Sequence, residues 1–292
     1  MTGKLSIVGT PIGNLEDISL RALRVLRECD LILAEDTRHT QKLLTHYEIK
    51  ARLRSLHAHN EERAAEKIIE ELLGGKHYAL VSDAGMPLIS DPGGALVPRL
   101  IEAGVELEAI PGPSAVTTAL ALSGLKSDGF RFVGFLPRSG SRRREALEEI
   151  RRDRLTSVFF ESPHRALKTV EELGALLEPS RRLVVGRELT KRFEELIRGT
   201  AAEVSESLAG REGGVRGEIT ILVEGADESA ADRYADKDEG ELDLARFIEE
   251  SRALGERPRE ASKRLAARLG IPSAEAYRML QSAQSESSGD DE

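Results

Sequence analysis

The residues of this chain that can do chemistry gather just after short apolar runs. SDAGMPLISDPG at 82–93 follows Tyr78-Ala79-Leu80-Val81 and carries Asp83 and Asp91, eight residues apart. Two carboxylates among glycines and prolines suit a metal site, an acid–base pair or a loop that hydrogen-bonds to itself. Glu35-Asp36-Thr37-Arg38-His39-Thr40 crowds two acids with two potential cations, and Glu161-Ser162-Pro163-His164-Arg165 and Arg187, Glu188, Lys191 and Glu194 follow apolar runs in the same way. In such places a carboxylate can take a proton, and an arginine or lysine can orient a polar substrate.

Each candidate also has a purely architectural role open to it. Asp91 is a good N-cap for a helix at 93–103. Thr37 suits an N-cap, with Glu35 and Arg38 as a structural ion pair, and Ser162 suits another cap. Arg187, Glu188, Lys191 and Glu194 form either a solvated face or a cleft wall. Asp83 precedes Ala84-Gly85, where the chain must turn sharply, and reads as a ligand contact. His57 and His59 would share a strand face, but with no cysteine or third histidine nearby a metal is not expected. No Ser/His/Asp or Cys/His arrangement is defined by spacing.

The elements that must hold these residues alternate. Apolar runs at 5–9, 31–35, 78–82, 106–110, 131–135, 157–161, 182–186 and 219–225 read as strands. Segments 19–28, 38–47, 60–74, 93–103, 114–123, 142–152 and 164–177 read as helices; in 60–74, Ala65, Ile68, Ile69 and Leu72 recur with helical period. Such alternation predicts α/β sheets, largely parallel and covered by helices. Thr10-Pro11, Asp91-Pro92, Gly112-Pro113 and Ser162-Pro163 follow predicted strands. In the last three, proline suits the first helical position and the residue before it the cap. Several helix starts would then face the carboxyl ends of strands, where open α/β sheets bind ligands. Gly9-Thr10-Pro11-Ile12-Gly13 lacks the dinucleotide-binding glycine spacing and no phosphate-binding P-loop is present, which disfavours a nicotinamide oxidoreductase or an ATPase.

Charge placement says more than the net −9. Residues 226–241 carry −5 and 282–292 carry −4, so the remainder is balanced. Within it lie basic clusters: Arg142-Arg143-Arg144, Arg151, Arg152 and Arg154, Arg181-Arg182, and six bases against two acids in 252–268. An RNA partner is compatible with that placement. No apolar stretch is long enough to span a membrane, no signal peptide is expected, and a single cysteine, Cys29, fits a reducing cytoplasm with a packing role. Segment 226–241 reads as a linker. ASKRLAARLGIPSAEAYRML at 261–280 reads as helix, turn and helix with Ser273 as cap, preceded by an apolar face of Leu244, Phe247, Ile248 and Leu254.

GTPIGNLEDIS at 9–19, AEDTRHTQKLL at 34–44, SLHAHNE at 55–61, SDAGMPLISDPG at 82–93, IPGPSAVTTALALSGL at 110–125, FFESPHR at 159–165, RELTKRFEE at 187–195 and GEITILVEG at 217–225 occur in order. Together they resemble the ribosomal RNA small subunit methyltransferase I family, of the tetrapyrrole-methylase-like (class III) S-adenosylmethionine methyltransferases. The likeness spans about 4–225, and the terminal helices fit that family's helix-turn-helix. It implies two α/β/α domains, 1–113 and 114–225, with S-adenosylmethionine in the cleft between them. A linker at 226–241, a helix-turn-helix unit at 242–283 and a disordered acidic tail at 284–292 would follow.

The resemblance further implies a cytoplasmic homodimer that methylates the ribose 2′-oxygen of a cytidine in the decoding region of 16S rRNA, as free rRNA or in the 30S subunit, with no membrane and no DNA partner. By position, the cofactor contacts would be Pro11, Asp83, Ala84, Gly85, Met86, Ser114, Ala115, Phe160, Glu218 and Ile219. The substrate side would use Arg38, Asp36, Glu161, His164, Arg187 and Lys191, with Glu161 or Asp36 taking the proton and Arg38 or Lys191 orienting the ribose. The family pattern has a small hydroxyl residue at 86 and often glycine at 88; this chain has Met86 and Leu88. Two alternatives stand beside this reading. One is a methylase of the same fold acting on a tetrapyrrole or other small molecule; the arginine clusters and terminal helices favour RNA over it. The other is a nucleic-acid-binding protein that only senses S-adenosylmethionine.

Overall fold

A computed structural model describes residues 3–57, 60–91, 93–227, 247–248, 251, 256–269 and 272–286. Contacts divide the chain into two compact units, residues 1–227 and 228–292.

The first unit holds two five-stranded sheets. Sheet one comprises β1 (Lys4–Val8), β2 (Leu31–Ala34), β3 (Leu53–Ser55), β4 (His77–Val81) and β5 (Glu106–Ile110), in the order β3-β2-β4-β1-β5. Every pair in it is parallel. Its inner strand β2 is buried at all four positions, so LILA is apolar throughout rather than alternating. Helices α1 (Leu20–Glu28) and α2 (Thr37–His46) cover one face through Leu26, Leu43 and Leu44. Helices α3 (Glu61–Leu73) and α4 (Leu96–Glu102) cover the other through Ile68, Leu72, Leu96 and Leu100.

Sheet two comprises β6 (Phe130–Phe135), β7 (Thr156–Glu161), β8 (Arg182–Arg187), β9 (Glu195–Thr200) and β10 (Ile219–Val223), in the order β6-β7-β10-β8-β9. Only β6 and β7 pair in parallel; β10 inserts antiparallel between β7 and β8, and β9 closes the edge antiparallel to β8. Parallel pairs thus prevail over the two sheets together, but they are concentrated in the first. Helices α6 (Ser141–Arg152), α7 (Pro163–Gly174) and α8 (Ala201–Ala209) pack on one face. Helix α5 (Ala115–Ser123) packs on the other, where Ile12, from the loop after β1, joins its core.

All eight predicted strands form, and two strands and a helix were not anticipated. Strand β3 has only three half-buried residues, and β9 lies in the charged segment after β8. Helix α8 starts with a capping box, the Thr200 hydroxyl accepting from the Glu203 amide while the Glu203 carboxylate accepts from that of Thr200.

Several expected caps are corrected. Asp91 does not cap α4, which begins only at Leu96 with Ala95 at its cap position. Gly93, at φ +114°, cannot continue a helix. The buried Glu61 carboxylate, from α3, accepts instead from the amides of Gly93 (3.2 Å), Ala95 (2.8 Å) and Leu96 (2.5 Å). Asp36, not Thr37, caps α2, accepting from the Arg38 amide at 2.8 Å. Helix α5 begins two residues beyond Pro113, with Ser114 at the cap. Ser162-Pro163 does start α7 with proline in the first turn, but the Ser162 side chain makes no cap bond.

Two arginines of the basic clusters are interior. Arg143 is 6% exposed and is held by Glu172 (2.6 Å), Thr169 (2.8 Å) and the Pro137 carbonyl (3.0 Å). Arg181, equally buried, donates to the carbonyls of Ile150, Arg151, Asp153 and Glu224. Both hold chain segments together and are unavailable to RNA.

The second unit contains α9 (Pro258–Leu269) and α10 (Ser273–Glu286), packed through Ala261, Leu265, Ala266, Ala276 and Leu280 onto Phe247 and Ile248. Ser273 is the first helical residue rather than the cap: the Pro272 carbonyl accepts from the Ala276 amide. His59, Pro92, the 228–241 part of the linker, residues 242–246 with Leu244, Leu254, the Gly270-Ile271 turn and residues 287–292 fall outside the described residues.

Candidate functional site

A cleft of about 500 Å³ opens between strand ends of the two sheets. Its first wall is the segment 83–91. Thr10 and Gly85 exchange backbone hydrogen bonds, N to O at 2.9 and 3.1 Å, which pins the loop after β4 to the loop after β1. Gly85 sits at φ +79°, where a residue with a Cβ is strained. The backbones of Gly9 and Gly112 also meet closely: a Cβ on Gly9 would lie 2.7 Å from the Gly112 Cα and 2.8 Å from the Met86 sulfur. Met86 thus lies over Gly9 as part of the wall. Leu88 and Ser90 are held at φ +77° and +69°, a conformation that explains why glycine suits position 88.

This wall is acidic. Glu35, Asp83 and Asp91 line the cleft. Asp83 accepts from the Asp36 amide at 3.1 Å. Burial, then the neighbouring charges of Glu35 and Asp83, push the Asp91 carboxyl up to about 6, against a hydrogen bond from Ser82. Burial and the charge of Asp83 raise Glu35 as well. No ion pair joins Glu35 to Arg38 among the described residues. The charge contact of His57 offsets only part of the rise at Glu35, and a set of partly desolvated acids whose charges repel is a favourable place for a positively charged ligand. No three His, Cys, Asp or Glu side chains converge as a metal-ligand set among the described residues.

The second wall comes from sheet two. Phe160 packs edgewise on Phe132 (5.0 Å) and against Phe135 (5.4 Å), and Phe135 and Phe160 supply apolar surface to the cleft. Glu161 follows, but its side chain has no exposure. One oxygen accepts from the Ser162 amide (2.7 Å) and pairs with Arg165 (2.5 Å); the other accepts from Thr169 (2.8 Å) and lies 3.6 Å from Arg143. So engaged, Glu161 holds β7, α6 and α7 together rather than offering a free base. Ser114 and Ala115, at the start of α5, and Gly217, Glu218 and Ile219, at the start of β10, complete the lining.

A second cleft, of about 330 Å³, adjoins the first and shares Ile12, Asp83, Ala84 and Glu218 with it. It presents His39, Lys42 and Lys191. Lys191 Nζ lies 2.9 Å from Glu188 and 3.2 Å from Glu218. Burial pulls the Lys191 ammonium down, but its bonds and charge contacts with Glu188 and Glu218 outweigh this and hold it above the usual range. It therefore stays a cation at neutral pH and cannot act as a base. Its loop is strained, with Glu188 at φ +50° and Thr190 at +64°, and it reaches the other half of the unit: the Thr190 hydroxyl accepts from the Asn14 amide at 3.1 Å.

Of the residues assigned to the cofactor from sequence, Asp83, Ala84, Gly85, Met86, Ser114, Ala115, Phe160, Glu218 and Ile219 line the first cleft, and Pro11 lines the second. Of the substrate set, Glu161 borders the first cleft and Lys191 the second. Asp36, Arg38 and His164 are exposed, and Arg187 is tied to Glu195 at 3.1 Å and to the Arg216 carbonyl; none of these four lines either cleft. The sequence reading did not single out Lys42. Its spacing from His39, one helical turn, was the available signal.

The cleft fits a sulfonium nucleoside on three counts. Its volume falls in the range of about 300–1,000 Å³ typical of small-molecule sites. The turn Asp83–Met86, with Gly85 at φ +79°, brings loop backbone to the cleft surface, where a ligand can approach it closely. Acids on one wall and aromatic rings on the other suit a cationic sulfur and a flat base.

Comparison with known proteins agrees. The profile of the Tetrapyrrole (Corrin/Porphyrin) Methylases matches residues 4–205. A Halalkalibacterium halodurans protein named ribosomal RNA small subunit methyltransferase I is 44% identical over 275 residues, 94% of this chain and 93% of that one. A protein of the same name from Escherichia coli O157:H7 is 47% identical over 234 residues, 80% of this chain and 82% of that one. Among solved structures, diphthine synthase superposes with a TM-score of 0.60 at 16% identity, covering 79% of this chain and 94% of that one. A uroporphyrin-III-C-methyltransferase from Thermus thermophilus gives 0.52 at 22%, covering 80% and 98%. The two structures establish the shared fold, and the closer sequence relatives narrow it: this chain belongs to the ribosomal RNA small subunit methyltransferase I family of the tetrapyrrole methylases.

Proposed function

We propose that the protein transfers a methyl group from S-adenosylmethionine to small-subunit ribosomal RNA, at the ribose 2′-oxygen of a cytidine in the decoding region. The observation that carries this is the shared wall. A desolvated acidic cleft and a cation-bearing cleft meet at Ile12, Asp83, Ala84 and Glu218. Displacement in line needs donor and acceptor in adjoining chambers, held in near-attack geometry. The names of the relatives support RNA as the acceptor.

S-adenosylmethionine supplies, when bound, an electrophilic methyl group on a cationic sulfur. Asp83, Asp91 and Glu35 balance that charge, while Phe135, Phe160 and the Gly85 turn exclude water and hold the nucleoside. Lys191 donates to the ribose 2′-oxygen and stabilises the negative charge that builds there as the hydroxyl proton passes to solvent water and the oxygen takes the methyl group. Glu161 positions the β7–α7 corner. Arg38 and His164, exposed at the starts of α2 and α7, contact RNA outside the clefts. We further propose a cytoplasmic homodimer with domains divided near 113/114; among the described residues no helix is long and apolar enough to cross a membrane.

The test is incubation with methyl-labelled S-adenosylmethionine and small ribosomal subunits that lack the modification. Label is expected in rRNA, in an alkali-resistant dinucleotide, because a 2′-O-methyl group blocks cleavage of the adjacent phosphodiester. Label elsewhere, or none, overturns the reading.

A further inference from the structure

The bases that the sequence places in the C-terminal unit separate into two groups. Arg264 is committed to the interior of that unit: its guanidinium stacks 4.3 Å from the Phe247 ring centroid, pairs with Glu256 at 3.0 Å and donates to Ser251 at 2.7 Å. Arg257, Arg259 and Lys263 are exposed and make no ion pair with another described residue. All three line one groove of about 780 Å³ between α9 and α10, and no acid among the described residues lines it. Arg259 and Lys263 are one helical turn apart on α9; Ser273 and Tyr277 are one turn apart on α10, so a basic stripe faces a polar, aromatic one. The neighbour of Tyr277, Ala276, turns inward to the core, while the Tyr277 ring remains 38% exposed at the groove.

We infer that this groove binds single-stranded RNA, with Arg257, Arg259 and Lys263 on backbone phosphates and the Tyr277 ring stacked on an unpaired base. Glu260, the nearest described acid on α9, spends its carboxylate on the Arg257 amide at 3.0 Å and does not line the groove, so three cations face it together, which brings a polyanion rather than a peptide of mixed charge. An exposed ring beside them adds the sequence-tolerant stacking that single strands permit and a closed duplex does not. The shape argues the same way. Reading a DNA major groove requires a convex helix inserted among base edges, whereas these side chains line a concavity. The inference names a contact surface for the RNA substrate proposed above and rests on that reading for its biological target, but its test does not.

Binding of the full chain to a short single-stranded RNA and to a DNA duplex of equal length is measured across a salt series, for the wild type, the triple variant R257Q/R259Q/K263Q, and Tyr277→Ala beside Tyr277→Phe. The wild type should prefer the single strand. The triple variant should lose about tenfold or more in affinity, and its slope of log K against log salt should shallow by about 2, near 0.7 per lost phosphate contact. Tyr277→Ala should weaken binding by roughly fivefold or more, and Tyr277→Phe should restore it. Unchanged affinity and slope in the triple variant, or tighter binding to the duplex, overturns the inference. Cofactor affinity, measured in parallel, should not move. Wild-type methylation of small subunits is scored separately: if it fails while the groove variants lose RNA, the activity reading falls and the groove stands.

Discussion

The two walls of the main cleft place a carboxylate at a strand end and use it in opposite ways. After β4, Asp83 and Asp91 share their space with Glu35, and their charges push against one another, with His57 offsetting only part of this at Glu35. After β7, Glu161 is more deeply buried, yet it is held between Arg165 at 2.5 Å and Arg143 at 3.6 Å with two further hydrogen bonds. Burial alone therefore does not separate a ligand-facing acid from a structural one. Partner supply does. An acid whose neighbours are acids is poised for a cation from outside; an acid already neutralised is part of the frame.

The strongest way to break this contrast is Glu161→Ala. Leaving Arg143 and Arg165 without their shared partner should cost about 3–5 kcal/mol of unfolding free energy, read by denaturant titration; a loss under about 1 kcal/mol, the scale of an exposed pair, would show that the network is not holding the frame. Next is Lys191→Ala. Removing the cation that faces the substrate chamber should lower kcat roughly 100- to 1,000-fold while the affinity for S-adenosylmethionine changes little, because Lys191 lines the neighbouring cleft. An equal loss of cofactor affinity would merge the two chambers and remove the division of labour. The smallest effect is expected at Leu88. Its left-handed backbone costs roughly 1–2 kcal/mol, and its side chain packs under α4 with Leu80 and Leu96. Leu88→Gly relieves the strain and forfeits the packing, so stability should change by no more than about 1 kcal/mol.

Much of the frame was legible because it depends on local pattern. Continuous apolar runs such as ITILV, buried at all five positions of β10, and the period of Ala65, Ile68 and Leu72 in α3 announce themselves without tertiary knowledge. What was not legible depends on distant partners. The cap of α4 is supplied by Glu61, more than thirty residues upstream, so Asp91 looked like the cap and is instead free to face the cleft. Arg143 and Arg181 look like surface charge and are interior clamps. Strand β9 is an edge strand with half-buried and exposed residues in a charged segment, which its sequence could not set apart from a solvated loop. Helix α8 is the exception: its Thr200–Glu203 capping box is local and could have been found. The residues assigned to the cofactor gathered well because backbone turns position them, whereas the proposed catalytic groups scattered because side-chain reach does not follow from spacing.

The sign of the Asp91 shift makes the central claim measurable. Its folded-state pKa lies above the ordinary carboxylate value, so its ionised form is disfavoured in the folded protein, and stability contributed by the protonated form is lost as pH rises toward about 6. A cation entering the cleft must reverse that preference and pull the pKa down. The direct measurement is calorimetric titration with S-adenosylmethionine near pH 6 in two buffers of different ionisation enthalpy. The wild type should release protons on binding, and Asp91→Asn should release markedly fewer. Binding with no proton exchange, or release undiminished in Asp91→Asn, would contradict the account of an acidic wall built to receive a cationic methyl donor.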